Sequence, residues 1–198
     1  MSGLLLVAAL QVELRGVPTD LADVERFVCG VGRKGAERAI AHLEARRPAR
    51  VLQVGFAGGL RAGLTEGDLL LVTEVFAAGE VPPPVPSSDL DRLRGALARL
   101  PRRLAQGSLV TVPAFVHRPE DKRALAERHQ AVACDMEGAW VALACADRGI
   151  PWCGVRAISD GVDQRLLPSL RSEKGIDPVR FAKALASPAA PWRGARMV

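Results

Sequence analysis

Tyrosine is absent from this chain, and aromatic residues make up only 4% of it. Interleaved basic and aromatic side chains, the usual pattern of a nucleic-acid surface, are therefore missing, although the net charge is +5. The basic residues are scattered over helix-like segments and read as a solvated, arginine-rich surface, so no nucleic-acid partner is expected. No run of 18 apolar residues occurs, which leaves no candidate membrane helix. The opening MSGLLLVAALQVEL lacks a basic n-region and a small-residue cleavage site, and reads as a buried first strand of a cytoplasmic protein. Four cysteines (Cys29, Cys134, Cys145, Cys153) have neither CxxC nor histidine-paired spacing, so reduced thiols are expected and no metal or other cofactor.

What is present is material for a core. Hydrophobic residues form 48% of the 198 positions, enough for one domain. Apolar runs at Leu4–Ala9, Arg26–Cys29, Ala49–Val54, Leu69–Val75, Ser108–Val112 and Ala131–Cys134 read as strands. Runs without polar alternation imply burial on both faces. Helical periodicity marks Ala36–Ala45, Leu90–Leu100 and Pro119–Arg128, with a last helix at Pro178–Ala186 in the tail. The alternation predicts a single α/β domain over 1–198, with a central mixed or mostly parallel sheet flanked by helices. Val81–Ser88, VPPPVPSS, reads as an extended surface loop because its prolines fit neither a central strand nor a helix.

Glycine punctuates the strand ends. Gly30-Val31-Gly32 is half of a dinucleotide fingerprint. Gly35 falls at the wrong offset, so a tight strand-to-helix turn is the expectation. Gly55-Phe56-Ala57-Gly58-Gly59 has no Lys-Ser/Thr and is no phosphate loop, and Gly58-Gly59 reads as a tight turn. Bare glycines at a strand end would let a flat ligand approach the backbone.

The segment from Asp135 to Asp160, DMEGAWVALACADRGIPWCGVRAISD, carries the most chemistry. Glu137 opens a helix-like run, Gly149–Pro151 forms a short loop, and Asp160 closes a strand-like run. Both carboxylates then come to the same end of a sheet, where open α/β folds bind ligands. Singly, each has a plainer explanation. Glu137 could complement a helix dipole, Ser159-Asp160-Gly161 could be turn chemistry, and Glu13, just past the first strand, could be a solvated loop charge.

Taken together and in order, Ala9 to Glu13 (AxxxE), VGFAGGL through Gly67-Asp68, DMEG and VRAISD resemble the nucleoside phosphorylase/nucleosidase superfamily, nearest to the methylthioadenosine/S-adenosylhomocysteine nucleosidases. The resemblance implies hydrolysis of the N-glycosidic bond of a 5′-substituted purine nucleoside. By it, Asp160 is the acid that protonates the purine at N7, beside Ser159, and Glu13 activates the attacking water. Glu137 accepts hydrogen bonds from the ribose hydroxyls, and Met136 packs on the sugar. Phe115 stacks on the base, the Val116 backbone reads its edge, and Gly58 gives it room. A homodimer is implied in the same way.

Three departures accompany the match: the region between Val75 and Leu109 is compressed, Phe56 stands where a small hydroxyl residue is common, and PAFVHR replaces a more usual SGDxF. Three alternatives remain beside this reading. Phosphorolysis would need an anion site, for which Arg33 is the candidate, whereas Val54 stands where such enzymes tend to carry arginine. Futalosine hydrolases and nucleosidases acting on adenosyl-hopane share the motifs. A non-catalytic nucleoside-binding module is the third.

Overall fold

A computed structural model describes residues 3–15, 17–77 and 87–165, with the side chains of 87–89 excepted, and the backbone of 171–172 and 175–176. The VPPPVPSS segment up to Pro86 and the expected tail helix at 178–186 lie outside the described residues.

The chain runs β1 (Leu4–Ala8), a 3-10 turn (Gln11–Leu14), β2 (Val24–Val28), α1 (Gly32–Arg46), β3 (Arg50–Gly59), β4 (Leu69–Ala77) and α2 (Ser87–Leu97). It continues with β5 (Leu104–Thr111), α3 (Pro119–His129), β6 (Ala133–Asp135), α4 (Gly138–Ala146) and β7 (Trp152–Asp160). A two-stranded ladder of β8 (Arg171–Ser172) and β9 (Gly175–Ile176) follows. Strand β3 pairs with β1, β6 and β7, and the order β3-β6-β5-β4-β7 returns to β3. Five strands thus close a ring, and β1 and β2 extend it on one side. The sheet is mixed, because β3–β6 and β4–β7 are antiparallel and the remaining pairs parallel. Strands from both sides of the proline-rich segment share it, since β4 pairs with β5.

Helix α1 begins earlier than its apolar period suggests, directly after the glycine turn. Gly30 (φ 90°) and Gly32 (φ 73°) adopt left-handed backbone. A Cβ on Gly35 would meet the Gly30 carbonyl oxygen at 1.9 Å, so that glycine is needed for close approach rather than for ligand binding. The helix ends at Arg47, left-handed at φ 47°, whose N–H reaches the Leu43 carbonyl at 2.9 Å, one residue before Pro48. Helix α4, GAWVALACA, is apolar nearly all round and packs on α1, β4, β5 and β7. Ala36, Ala39 and Leu43 of α1 and Val141, Ala142 and Cys145 of α4 join one buried core. Trp140 packs against that core, and Phe76 against a smaller one, each only partly buried.

The expected turn at Gly58-Gly59 is not a turn. Both residues are the last of β3, where Gly58 pairs with Cys134 and Asp160, and Gly59 with Ala133. Glycine there accommodates crowding: a Cβ on Gly58 would lie 3.3 Å from the Cys134 sulfur, and one on Gly59 3.1 Å from the Asp160 carbonyl oxygen. All four cysteines are buried, and no disulfide joins them.

Candidate active site

Glu13, Glu137 and Asp160 line one cavity, and so do Gly58, Phe115, Val116, Met136 and Ser159. Five separate stretches of chain deliver them: the 3-10 turn after β1, the end of β3, the end of β7 paired with it, the loop after β5, and the β6–α4 junction.

Glu13 is placed by local folding. The turn Gln11–Leu14 brings its carboxylate back so that Oε2 accepts the Leu10 N–H at 2.8 Å, while Oε1 accepts the Phe56 N–H of β3 at 3.0 Å. Gly55 makes room for it, since a Cβ there would stand 3.0 Å from Oε1. Burial raises the pKa of Glu13, against the two N–H donors and the Arg156 charge, which pull it down.

Asp160 owes its direction to a β-bulge. In the β3–β7 ladder Ala57 pairs with Ile158 but Gly58 pairs with Asp160, so Ser159 is the extra residue. Consecutive residues of a regular strand point to opposite faces, yet Ser159 and Asp160 both reach the cavity. The sequence reading of Ser159-Asp160-Gly161 as a turn therefore gives way to a bulge inside β7. Ser159 Oγ lies 2.5 Å from Asp160 Oδ1 and 3.2 Å from the Ala57 carbonyl oxygen, so its one proton has two acceptors. Burial raises the Asp160 pKa, opposed by Lys122 and Ser159.

Glu137 is the residue from which α4 springs, and its Oε1 accepts the N–H of Gly32 at the start of α1. Burial pushes its pKa well above the usual carboxylate range, reinforced by Asp135. Below it lies a closed polar network. Asp135 Oδ1 accepts Thr111 Oγ1 at 2.6 Å, and Oδ2 accepts Arg156 Nη2 at 2.8 Å and the Gly138 N–H at 3.0 Å. Thr111 Oγ1 in turn accepts the Ala139 N–H at 2.8 Å. Two free donors at the start of α4 are satisfied in this way.

Two buried cations were not singled out from the sequence. Lys122 sits in the charge-rich PEDKRALAERH of α3, which reads as a solvated face. Its spacing to Leu125, Ala126 and His129 was the available sign of an inward stripe. Arg156 lies inside VRAISD, in a strand whose burial leaves no water for it, and a charge in such a strand calls for a partner. Arg33, the candidate anion ligand, is on the exposed first turn of α1. It pairs with Glu37 at 3.5 Å, stacks 4.9 Å over the Trp140 ring, and does not line the cavity. Among the described residues no arginine or lysine lines the cavity. Cys134, which does, has its thiol pushed up to about 12 by burial and the Asp160 and Asp135 charges, so it is no nucleophile. Among the described residues no three His, Cys, Asp or Glu side chains are grouped to hold a metal, and no helix is long and apolar enough to cross a membrane.

Comparison with known proteins gives these features a context. The model of the phosphorylase superfamily matches residues 24–175. An aminodeoxyfutalosine nucleosidase of Helicobacter pylori is 33% identical over 135 residues, 59% of this chain and 57% of that one. A 5′-methylthioadenosine/S-adenosylhomocysteine nucleosidase of Bacillus cereus is 29% identical over 150 residues, 66% of this chain and 65% of that one. The chain thus spans less than two thirds of the length of these curated relatives. Among solved structures, a futalosine hydrolase mutant of Helicobacter pylori has a TM-score of 0.70 at 23% identity, over 82% of this chain and 87% of that one. A 5′-methylthioadenosine/S-adenosylhomocysteine nucleosidase from Neisseria meningitidis, in complex with methylthio-immucillin-A, has a TM-score of 0.72 at 22% identity, with the same coverage. Both share the fold.

Proposed function

The chain belongs to the phosphorylase superfamily, and from that premise we propose that it is a purine nucleosidase. It hydrolyses the N-glycosidic bond of a 5′-substituted nucleoside to free base and a ribose derivative. The observation that carries the reading is the meeting of Glu13, Glu137 and Asp160 with Phe115 in one cavity.

Glycosidic cleavage passes through an oxocarbenium-like sugar, and the purine leaves poorly as an anion. Asp160, its proton affinity raised by burial, protonates N7 as the C–N bond breaks. Glu13, fixed by two backbone N–H donors, orients the water and takes its proton as the new C–O bond forms. Gly55 and Gly58, which stand against the two carboxylates, are roughly 10 Å apart along an extended strand, leaving space for a nucleoside between acid and base. Glu137 accepts hydrogen bonds from the ribose hydroxyls, a role supported by its place in the cavity wall beside Met136. Phe115 supplies a stacking platform with few rotors to order.

Among the described residues no arginine or lysine lines the cavity, which supports water over phosphate as acceptor, because a phosphate dianion in a buried site needs positive or N–H donors around it. Within hydrolysis, methylthioadenosine, S-adenosylhomocysteine and futalosine-type nucleosides are the substrate class, supported by the names of the relatives. The chain acts as one catalytic domain, as a homodimer, in the cytoplasm. The deciding experiment is base release by purified protein from methylthioadenosine, S-adenosylhomocysteine, futalosine and inosine, with and without phosphate. Release independent of phosphate is expected. Turnover only with phosphate makes it a phosphorylase, and none on any substrate leaves a binding module.

A further inference from the structure

Lys122 is completely sealed from solvent, although it belongs to a charge-rich helix that is elsewhere exposed or only partly buried. Its ammonium has three protons and three acceptors: Asp160 Oδ2, the Gly161 carbonyl oxygen at 2.8 Å and the Gln164 carbonyl oxygen at 3.0 Å. The group is thus fully satisfied as a cation, and two of its bonds fix it to the backbone just beyond β7. Burying an ammonium is costly, and an apolar residue of equal volume often serves stability as well or better. A buried lysine aimed at one carboxylate of the cavity is therefore weak as a device for stability alone.

We propose that Lys122 is a positioning residue that sets the proton affinity and the orientation of Asp160 for protonation of the leaving base. The inference rests on the nucleosidase reading above. In the step concerned, the Asp160 O–H bond breaks, an N7–H bond forms, and the glycosidic electron pair goes to the base. Asp160 is left as a carboxylate. Burial alone disfavours that product and would make Asp160 too weak an acid, holding its proton. The Lys122 ammonium stabilises the carboxylate and opposes burial, which keeps the acid near the working range. Among the described residues the other groups facing Asp160 are Ser159 on its own strand, the neutral Cys134 thiol of β6, and Glu66 in the loop before β4. Among these Lys122 is the cation. With Lys122 on Oδ2 and Ser159 on Oδ1, both carboxylate oxygens have fixed directions. The Ser159 proton can turn to the Ala57 carbonyl when Oδ1 carries a proton of its own.

The test is the pH dependence of base release by Lys122→Met. The acid form of Asp160 is lost as pH rises through its pKa, so activity falls on the alkaline side. Without the ammonium that pKa rises, and the alkaline limb of kcat is expected to move up by about one pH unit or more. Meanwhile kcat at neutral pH drops at least about tenfold, with KM within about threefold. An unmoved limb with only a lower melting temperature overturns the proposal. In case the variant does not fold, the wild-type protein labelled with 15N-lysine provides a second measurement. The Lys122 Nζ resonance is expected to shift with the titration of Asp160, and an Nζ signal blind to that titration overturns the proposal equally. Asp160→Asn separates the two readings: near wild-type turnover would sink the nucleosidase mechanism itself. An inactive Asp160→Asn with an unmoved limb in Lys122→Met would sink only the role of Lys122.

Discussion

Two buried ion pairs stand a few residues apart in this molecule and differ in what their carboxylates have left to give. Asp135 and Arg156 are each all but sealed, and Asp135 is saturated. Thr111, the Gly138 N–H and two nitrogens of Arg156 occupy its oxygens, while a third Arg156 nitrogen reaches the Gln53 carbonyl at 2.8 Å. Asp160 and Lys122 are equally buried, yet Asp160 takes one donor on each oxygen and retains lone pairs toward the cavity. The first arrangement ties β5, β6, β7 and the start of α4 together. The second leaves a reactive group under tension between burial and charge. Burial and pairing alone do not separate a structural carboxylate from a chemical one; the count of donors does.

Asp160→Asn sharpens the contrast most. Asn keeps the shape but cannot pass a proton, so base release should fall about 10²–10⁴-fold with the fold retained, measured by base release and circular dichroism. Next in size, Arg156→Met should cost about 3–5 kcal/mol of stability in a denaturant titration, because it strands the Asp135 charge among the remaining donors. A variant that kept its stability and lost only turnover would erase the distinction between the two pairs. Glu13→Gln follows, with a loss on the order of 10²-fold in kcat. Its profile should also lack the acid limb, since wild-type activity falls as pH drops through the Glu13 pKa and glutamine does not titrate.

Glu137→Gln has the smallest expected effect, and of opposite sign for stability. The Glu137 pKa is raised above its ordinary 4.5, so the stability it contributes is complete below that value and lost as pH rises through its value in the folded protein. At pH 8 the variant should melt higher than wild type, by roughly 2–4 °C if about 1 kcal/mol is relieved. At pH 4.5 the two should coincide, while turnover suffers at both.

The motif residues were legible in the sequence because their order along the chain, AxxxE, DMEG and VRAISD, is a one-dimensional signal. The strands were legible through their continuous apolar runs. Two kinds of feature were not. Gly58-Gly59 reads locally as a turn, and only the neighbouring β6 and β7 make it strand, with Ser159 bulged to redirect Asp160. Lys122 reads as one charge among many in α3, and its burial depends on a loop 39 positions later. Both depend on long-range pairing that no local pattern encodes. The start of α1 at Gly32 was missed for a simpler reason: its first turn, Gly-Arg-Lys-Gly, is polar and weakly helical.

The thiol of Cys134 gives the cavity a built-in chemical reporter. It faces Gly58 and the Asp160 charge from within the wall, and at neutral pH it is both shielded and un-ionised. An alkylating reagent must therefore come through the cavity that Cys134 lines, or wait for β6 to part from β3, and its labelling rate reports access to that wall. A nucleoside bridging Glu13 and Asp160 would cover that wall. Occupancy would then be readable as slowed labelling at a single sulfur, even for a substrate analogue that the protein cannot cleave.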